Sequence, residues 1–166
     1  MATQASHIAI MLEYIGRDVL LQLHAVPEKQ LNQPLDLADA NTLFALATHL
    51  VGAGEDWVLH YAGGRTISRD RPAEFRAAGT LADLQTRYDR WIADVHEVLD
   101  HLPDADMERV VEAHPTFLTW TSNVPTTVRD CLLHAVAHSA LHQGHIQLTC
   151  QILTQHKGGK SSPLQA

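Results

Sequence analysis

The chain has 166 residues, of which 45% are hydrophobic and 19% are charged, and its formal net charge is −7. This length and composition predict one soluble globular domain with a buried core. The negative charge and the lack of a Lys/Arg run argue against binding of nucleic acid. No apolar run reaches the roughly 18 residues of a membrane span, and no signal-peptide pattern opens the chain, so we expect a cytoplasmic protein without membrane contact.

Four stretches show the three- and four-residue apolar spacing of amphipathic helices. The first of them is predicted to bury a stripe that includes Met11 and Leu12. Polar caps, Gly63-Gly64 and Pro125 mark where the later helices begin and end. The predicted helices span residues 4–25, Asn41 or Thr42 to Tyr61, Thr80–Leu102, and 126–155.

The connections between these helices differ in character. Residues 62–79 hold four arginines, three glycines and a proline, which predicts a long, solvated surface connection with a short helical turn around Pro72–Arg76. Residues 103–125 are expected to include short extended segments at 109–112 and 117–120. Residues 157–166 are expected to form a disordered C-terminal tail.

These elements predict an all-α fold, an antiparallel four-helix bundle in a single domain over residues 1–156. Because the connection between the second and third helices is long, a simple up-down-up-down order is not required. The second predicted helix carries apolar residues on two sides, among them Phe44, Val51 and Val58. The last predicted helix does so too, and Leu132 is one of these residues. Two apolar sides indicate either central burial or a dimer face.

The last helix carries four histidines within twelve residues: His134, His138, His142 and His145. At about 100° per residue, all four fall within about 80° of one another. His138 and His142, four residues apart, can direct two imidazoles at one divalent ion. His49, among small and apolar neighbours in the second helix, is the candidate third ligand. Ordinary packing of histidines remains the alternative from spacing alone.

Several further residues are candidates for the same site. On a regular helix Asp56 and His60 lie within about 20° of the His49 direction, so either could orient a ligand or act as a general acid/base. His134 is expected to line the pocket or simply to pack. Trp120, just before the last helix, is the candidate pocket rim, whereas Trp57 and Trp91 are expected in the core.

The two cysteines, Cys131 and Cys150, are expected to be reduced, buried thiols. On one helix they would lie about 28 Å apart, which is too far for a disulfide. The chain also lacks a C-x-x-C pair, a Gly-rich phosphate loop and a G-x-S-x-G motif. The chemistry that the sequence offers is therefore concentrated in its histidines.

The order of these residues resembles the DinB/YfiT-like superfamily of four-helix bundles, over about Ile8 to Gln155. In that family, a histidine of the second helix and the H-x3-H of the last helix bind a divalent metal, often zinc or nickel. Carried over, these ligands are His49, His138 and His142. The residues that carry the resemblance are Asn41-Thr42-Leu43, Ala47-Thr48-His49-Leu50, Glu55-Asp56-Trp57, Pro125-Thr126-Thr127-Val128-Arg129-Asp130, His134, His138 and His142-Gln143-Gly144.

One departure from the family pattern concerns the residues after the last ligand. The family often continues with Arg-Gly-Gln, whereas this chain has Gln143-Gly144-His145. No role of that arginine carries over. His145 either adds a fourth nitrogen or a proton-transfer group, or packs against a neighbouring helix.

The resemblance implies a metal-dependent enzyme that acts on a small-molecule substrate. Its members include thiol-dependent transferases and maleylpyruvate isomerases, so we expect transfer of a low-molecular-weight thiol, with Asp56, His134 and His145 as catalytic candidates. Hydrolysis at the same site is one alternative, and a non-catalytic, stress-associated metal-binding protein is another. Dimers are common among similar proteins, and we expect a homodimer.

Overall fold

The computed structural model describes residues 3–111 and 125–155, and this part of the chain is all-helical apart from one isolated bridge between Val110 and Thr127. The all-α fold is confirmed. Predicted features at 117–120, Trp120 and 157–166 lie outside the described residues. The helices are α1 (Gln4–His24), α2 (Glu28–Leu31), α3 (Leu43–Gly54) continued by a π-helix (Glu55–Ala62), α4 (Arg71–Glu74), α5 (Leu81–Leu99), a 3₁₀ helix (Asp104–Glu108) and α6 (Val128–Gln155).

Polar caps determine where α3 and α5 begin. The Thr42 hydroxyl accepts a hydrogen bond from the Ala45 backbone N–H at 3.1 Å. Thr80 and Asp83 form a capping box, in which each side chain bonds the other residue's backbone N–H. These caps satisfy N–H groups that have no partner inside the helix. They thereby fix the start of both helices close to the predicted positions.

The long helices run in an up-down-down-up order. Residue numbers rise together across the contact of α1 with α6, so these helices are parallel, whereas α1 with α5 and α3 with α6 are antiparallel. The α3 and α5 helices therefore point the same way. For α1 with α6 the contacting pairs are Gln4–Arg129 and Asp18–Gln143. For α1 with α5 they are Arg17–Asp89 and Glu13–His96. For α3 and its π-helical continuation with α6 they are His49–His142 and Trp57–His134.

This order obliges the chain to travel back along α3 before α5 begins. Residues 63–80, which we call the crossing segment, make this return. The segment lies antiparallel to α3 and its π-helical continuation, so early residues of one meet late residues of the other. The pairs along it are Arg65–His60, Arg69–Asp56, Glu74–His49 and Gly79–Phe44.

The α3 helix is the centre of the core, and every residue from Leu43 to Gly54 is buried. Val58 and Leu132 are buried as well. The two apolar sides of the second predicted helix therefore reflect central burial. Of the predicted inner stripe of α1, Leu12 is buried, but Met11 is 51% exposed, because the buried stripe runs through Ala5, Ala9 and Leu12.

Within the described residues, no helix has both the length and the apolar character needed to cross a membrane.

The close approach of α5 to α3 at Gly54 generates a stability prediction. A Cβ at this position would lie 2.6 Å from Cζ2 of Trp91, whose side chain is 1% exposed. Because a rigid buried ring cannot move aside cheaply, we expect Gly54→Ala to lower the free energy of unfolding by about 1–3 kcal/mol. Urea denaturation measures this change.

Gly144→Ala is the matched control, because a Cβ there meets nothing within 4 Å. This substitution should preserve stability or raise it by up to about 1 kcal/mol through helix propensity. Equal stability of the two variants would contradict the close packing at Gly54.

Candidate metal centre

Three histidines from two facing helices converge in the interior. One ring nitrogen from each of His49, His138 and His142 lies within 4.8 Å of the other two. The ring centroids are 4.4 Å apart for His138–His142, 4.8 Å for His49–His142 and 5.2 Å for His49–His138. Among residues 3–111 and 125–155, no other group of three or more His, Cys, Asp or Glu is so placed. The three predicted ligands are thus brought together.

Burial keeps two of these imidazoles neutral. It lowers the pKa of His138 to about 3, with further lowering by the nearby His142 and His49, and it lowers the pKa of His142 to about 4. A neutral ring keeps a lone pair for a metal ion, and imidazole nitrogen is a preferred ligand of zinc and nickel.

Two buried nitrogens in the cluster lack a hydrogen-bond partner among residues 3–111 and 125–155. They are Nδ1 of His138 and Nδ1 of His142. An unsatisfied buried polar atom costs about 1–3 kcal/mol, so such atoms are uncommon unless a ligand, ion or water meets them. Together with the neutral donor set, these atoms fit a divalent metal ion held by the three histidines.

The third histidine is fixed by a carboxylate. Nδ1 of His49 lies 2.7 Å from Oε2 of Glu74, and the two side chains are only 5% and 6% exposed. With Nδ1 engaged in this bond, Nε2 is the His49 atom that is left for a ligand. A His that donates one N–H to a carboxylate and offers the other nitrogen to a metal is a common arrangement in metal sites.

Glu74 is held in turn by Arg69. The Arg69 guanidinium donates from Nε to Oε1 at 2.7 Å and from Nη2 to Oε2 at 3.1 Å, and its Nη1 bonds Oδ2 of Asp56 at 2.9 Å. Burial raises the pKa of the Glu74 carboxyl, but the hydrogen bonds from His49 and Arg69 outweigh this effect, so its pKa is lowered. A chain of polar groups therefore runs from the half-buried Asp56 and Arg69 to the buried Glu74 and His49.

The candidates on the second predicted helix take different places from those expected. Asp56 is near the site but pairs with Arg69 and is not among the three converging residues. His60 is exposed, and its Nδ1 lies 2.8 Å from the Arg65 carbonyl oxygen. The predicted alignment of His60 with His49 is wrong, because Glu55–Ala62 forms a π-helix, in which the α-helical angle per residue does not apply.

His134 and His145 flank the converging pair on α6. The His134 ring lies 4.3 Å from Trp57 and 5.7 Å from His138 between centroids. His145 is exposed, with its ring 5.4 Å from His142. Neither is part of the converging group, so their catalytic roles remain predictions.

The two thiols and two of the tryptophans, Trp57 and Trp91, behave as core residues. Trp57 and Trp91 are 3% and 1% exposed. Cys131 and Cys150 are free and buried, and burial raises the pKa of their thiols to about 12 and about 11. Neither thiol is therefore ionised near neutral pH, which makes them poor nucleophiles.

Sequence reasoning missed the residues of the crossing segment that complete the site. Residues 62–79 were expected to be solvated, but Glu74 is 6% exposed and the Arg69 side chain 16% exposed. Phe75 also packs on His49, with ring centroids 4.5 Å apart. The sequence does contain a signal for order in this segment. Asp70 caps α4 and Pro72 occupies its first turn, and a capped helix is not expected in a wholly solvated loop.

Known proteins support the same assignment of fold. A crystal structure of a DinB-like protein from Bacillus cereus ATCC 10987 superposes with a TM-score of 0.60 at 14% sequence identity, covering 92% of this chain and 91% of that one. This likeness concerns the fold. No curated protein matches the chain significantly. The family model described as DinB superfamily matches residues 12–146, and the chain belongs to that superfamily.

Proposed function

We propose that the chain is a divalent-metal-dependent enzyme that transfers a low-molecular-weight thiol to a small electrophilic substrate. The observation that carries the proposal is the convergence of His49, His138 and His142, with two unpartnered buried nitrogens in the cluster. Three protein ligands is the number found in many catalytic zinc sites, whereas structural sites use four. Zinc or nickel would be held by these residues.

When bound, such an ion supplies Lewis acidity, which favours the ionised form of a thiol or of water near neutral pH. The protein residues contribute binding and protonation. His138 and His142 stay neutral through burial, and Glu74 holds Nδ1 of His49, so all three rings keep a nitrogen for binding. His145, exposed beside His142, is the residue we assign to exchange a proton with the solvent.

The state of the two cysteines favours a thiol that arrives as a co-substrate. Cys131 and Cys150 are buried, and their pKa values are raised to about 12 and about 11. A covalent mechanism through either thiol would need ionisation in an apolar environment, which is costly. A transferase built on this site would therefore take its nucleophile from a bound small molecule.

The ligand assignment predicts metal content. Protein purified without a histidine tag should bind one zinc or nickel ion per chain, and His49→Ala, His138→Ala and His142→Ala should each abolish tight binding. Elemental analysis after dialysis measures the content. Removing the metal with a chelator should lower Tm, since a ligand at 100 times its Kd stabilises the folded state by about 2.7 kcal/mol.

His96→Ala is the control for this experiment, because His96 pairs with Glu13 and Asp100 on the α1–α5 side of the protein. This variant should keep its metal. An unchanged metal content in His49→Ala would show that the three histidines are not the ligands.

The proposed activity is tested by presenting the metallated protein with a panel of thiols and electrophiles. We expect consumption of thiol that depends on both the metal and the electrophile, and that falls at least about 100-fold in His49→Ala. Mass spectrometry of the product identifies the thioether. Hydrolysis of a model ester or amide without turnover of any thiol would replace transfer by a hydrolase activity.

We also propose that the chain forms a homodimer through an outer face made by α1 and α6, which pack against each other. Exposed apolar side chains mark interfaces when they are grouped. Residues 131–154 contain no Asp, Glu, Lys or Arg. Each copy carries a net charge of −7, and the α6 part of the face adds no charge repulsion between two copies. The face consists of Ile10, Tyr14, Leu21, Leu133, Leu141 and Leu148, each 56–69% exposed.

The dimer is tested by the double substitution Leu133→Glu and Leu141→Glu, which places two like charges from each copy in the face. We expect light scattering to give a dimer for the wild type and a monomer for the variant. Leu37→Glu is the control, because Leu37 is 63% exposed but lies outside the face. A monomeric wild type would contradict the proposal.

A further inference from the structure

A glycine notch in α3 receives the carboxylate that orients His49. Gly52 lies one turn after His49, and a Cβ at this position would overlap Oε1 of Glu74 and lie 2.8 Å from its Cδ. Glu74 is 6% exposed and sits in a short helix on the crossing segment. The side chain of any other residue at position 52 would therefore displace the carboxylate from its present position.

The Glu74 carboxylate contacts both the candidate ligand His49 and the guanidinium of Arg69. Its Oε2 lies 2.7 Å from Nδ1 of His49, and its two oxygens receive two hydrogen bonds from Arg69. Arg69 is itself tied to Asp56 on the π-helix. Glu74 is thus held from three sides, by the notch, by the guanidinium and by the imidazole, and it has little freedom to rotate away.

The charges of this network also favour a cation. Asp56 and Glu74 contribute two negative charges and Arg69 one positive charge, which leaves a net charge of −1 next to the three histidines. Placing a dication in a buried site costs desolvation energy, and the negative charge of Glu74, in contact with His49, offsets part of that cost. The network is therefore arranged to strengthen metal binding while it fixes the ring of His49.

We propose that Glu74, seated in the Gly52 notch and clamped by Arg69, is a positioning residue that holds His49 with Nε2 directed to the site of His138 and His142. This inference rests on the proposed metal site. According to this inference, metal affinity depends on the crossing segment as well as on the two helices that carry the ligands. The expected contribution is that of other outer partners of metal-bound histidines, about 10–100-fold in affinity.

The first measurement needs no metal. In metal-free wild-type protein, long-range ¹H–¹⁵N correlation of the His49 ring should show the Nδ1–H tautomer, because Nδ1 donates to Glu74. A predominant Nε2–H tautomer would overturn the positioning of His49, whatever the protein binds. This outcome is separate from the proposed function, which fails if wild-type protein binds neither zinc nor nickel.

The second measurement is the zinc Kd by competition with a chelator, on full-length, tag-free protein. Glu74→Gln, which keeps the size of the side chain, should weaken binding about 10–100-fold while the stoichiometry stays at one per chain. Glu13→Gln is the matched control, because Glu13 makes a similar hydrogen bond, 2.9 Å, to Nε2 of His96 outside the site. Equal affinity of Glu74→Gln and wild type would overturn the proposal.

Gly52→Ala tests the notch itself. It should weaken zinc binding in the wild-type background but have no further effect in a Glu74→Ala background, where the notch is vacant. Equal losses in the two backgrounds would show that Gly52 acts on α3 packing and not through Glu74. Circular dichroism and urea denaturation of each variant establish that the compared proteins are folded.

Discussion

The buried hydrogen bond from Nδ1 of His49 to Oε2 of Glu74 ties a helix of the core to the segment that crosses it. A buried carboxylate loses its hydration, at a cost of several kcal/mol, and only good hydrogen bonds offset this loss. Glu74 receives one from His49 and two from Arg69, and Arg69 pairs again with Asp56. Each member therefore depends on the others, because removing one leaves a buried charge without its partner.

The direction of the helices explains why these residues meet. In an up-down-down-up order the chain must return along α3 before α5 begins, and the crossing segment follows α3 residue by residue in the opposite sense. Glu74 thereby reaches His49, and Arg69 reaches Asp56, although the first two are 25 residues apart in sequence. A short hairpin between two antiparallel helices would have placed no such segment against the ligand helix.

The site also depends on the contrast between a charged exterior and a nearly uncharged last helix. Residues 131–154 of α6 carry no Asp, Glu, Lys or Arg. The side of α6 that faces the core carries His138 and His142, which burial keeps neutral. The opposite side carries exposed leucines. One helix therefore supplies two of the three candidate metal ligands, His138 and His142, and much of the face that we assign to a second copy.

The sequence by itself determined the all-α fold, the approximate bounds of the long helices, and the three histidines that converge. Local patterns suffice for the helices and for the His138–His142 pair, because apolar periodicity and i, i+4 spacing act within one helix. His49 follows from its small and apolar neighbours and from the resemblance to the DinB/YfiT-like superfamily. Tertiary structure decided the remainder. The π-helix moved His60 away from the His49 direction. The return path buried Glu74 and half-buried Arg69, although composition alone predicts that both are solvated. Such residues are recognised only when the chain direction is known, because their partners are distant in sequence and the energy that buries them comes from those partners.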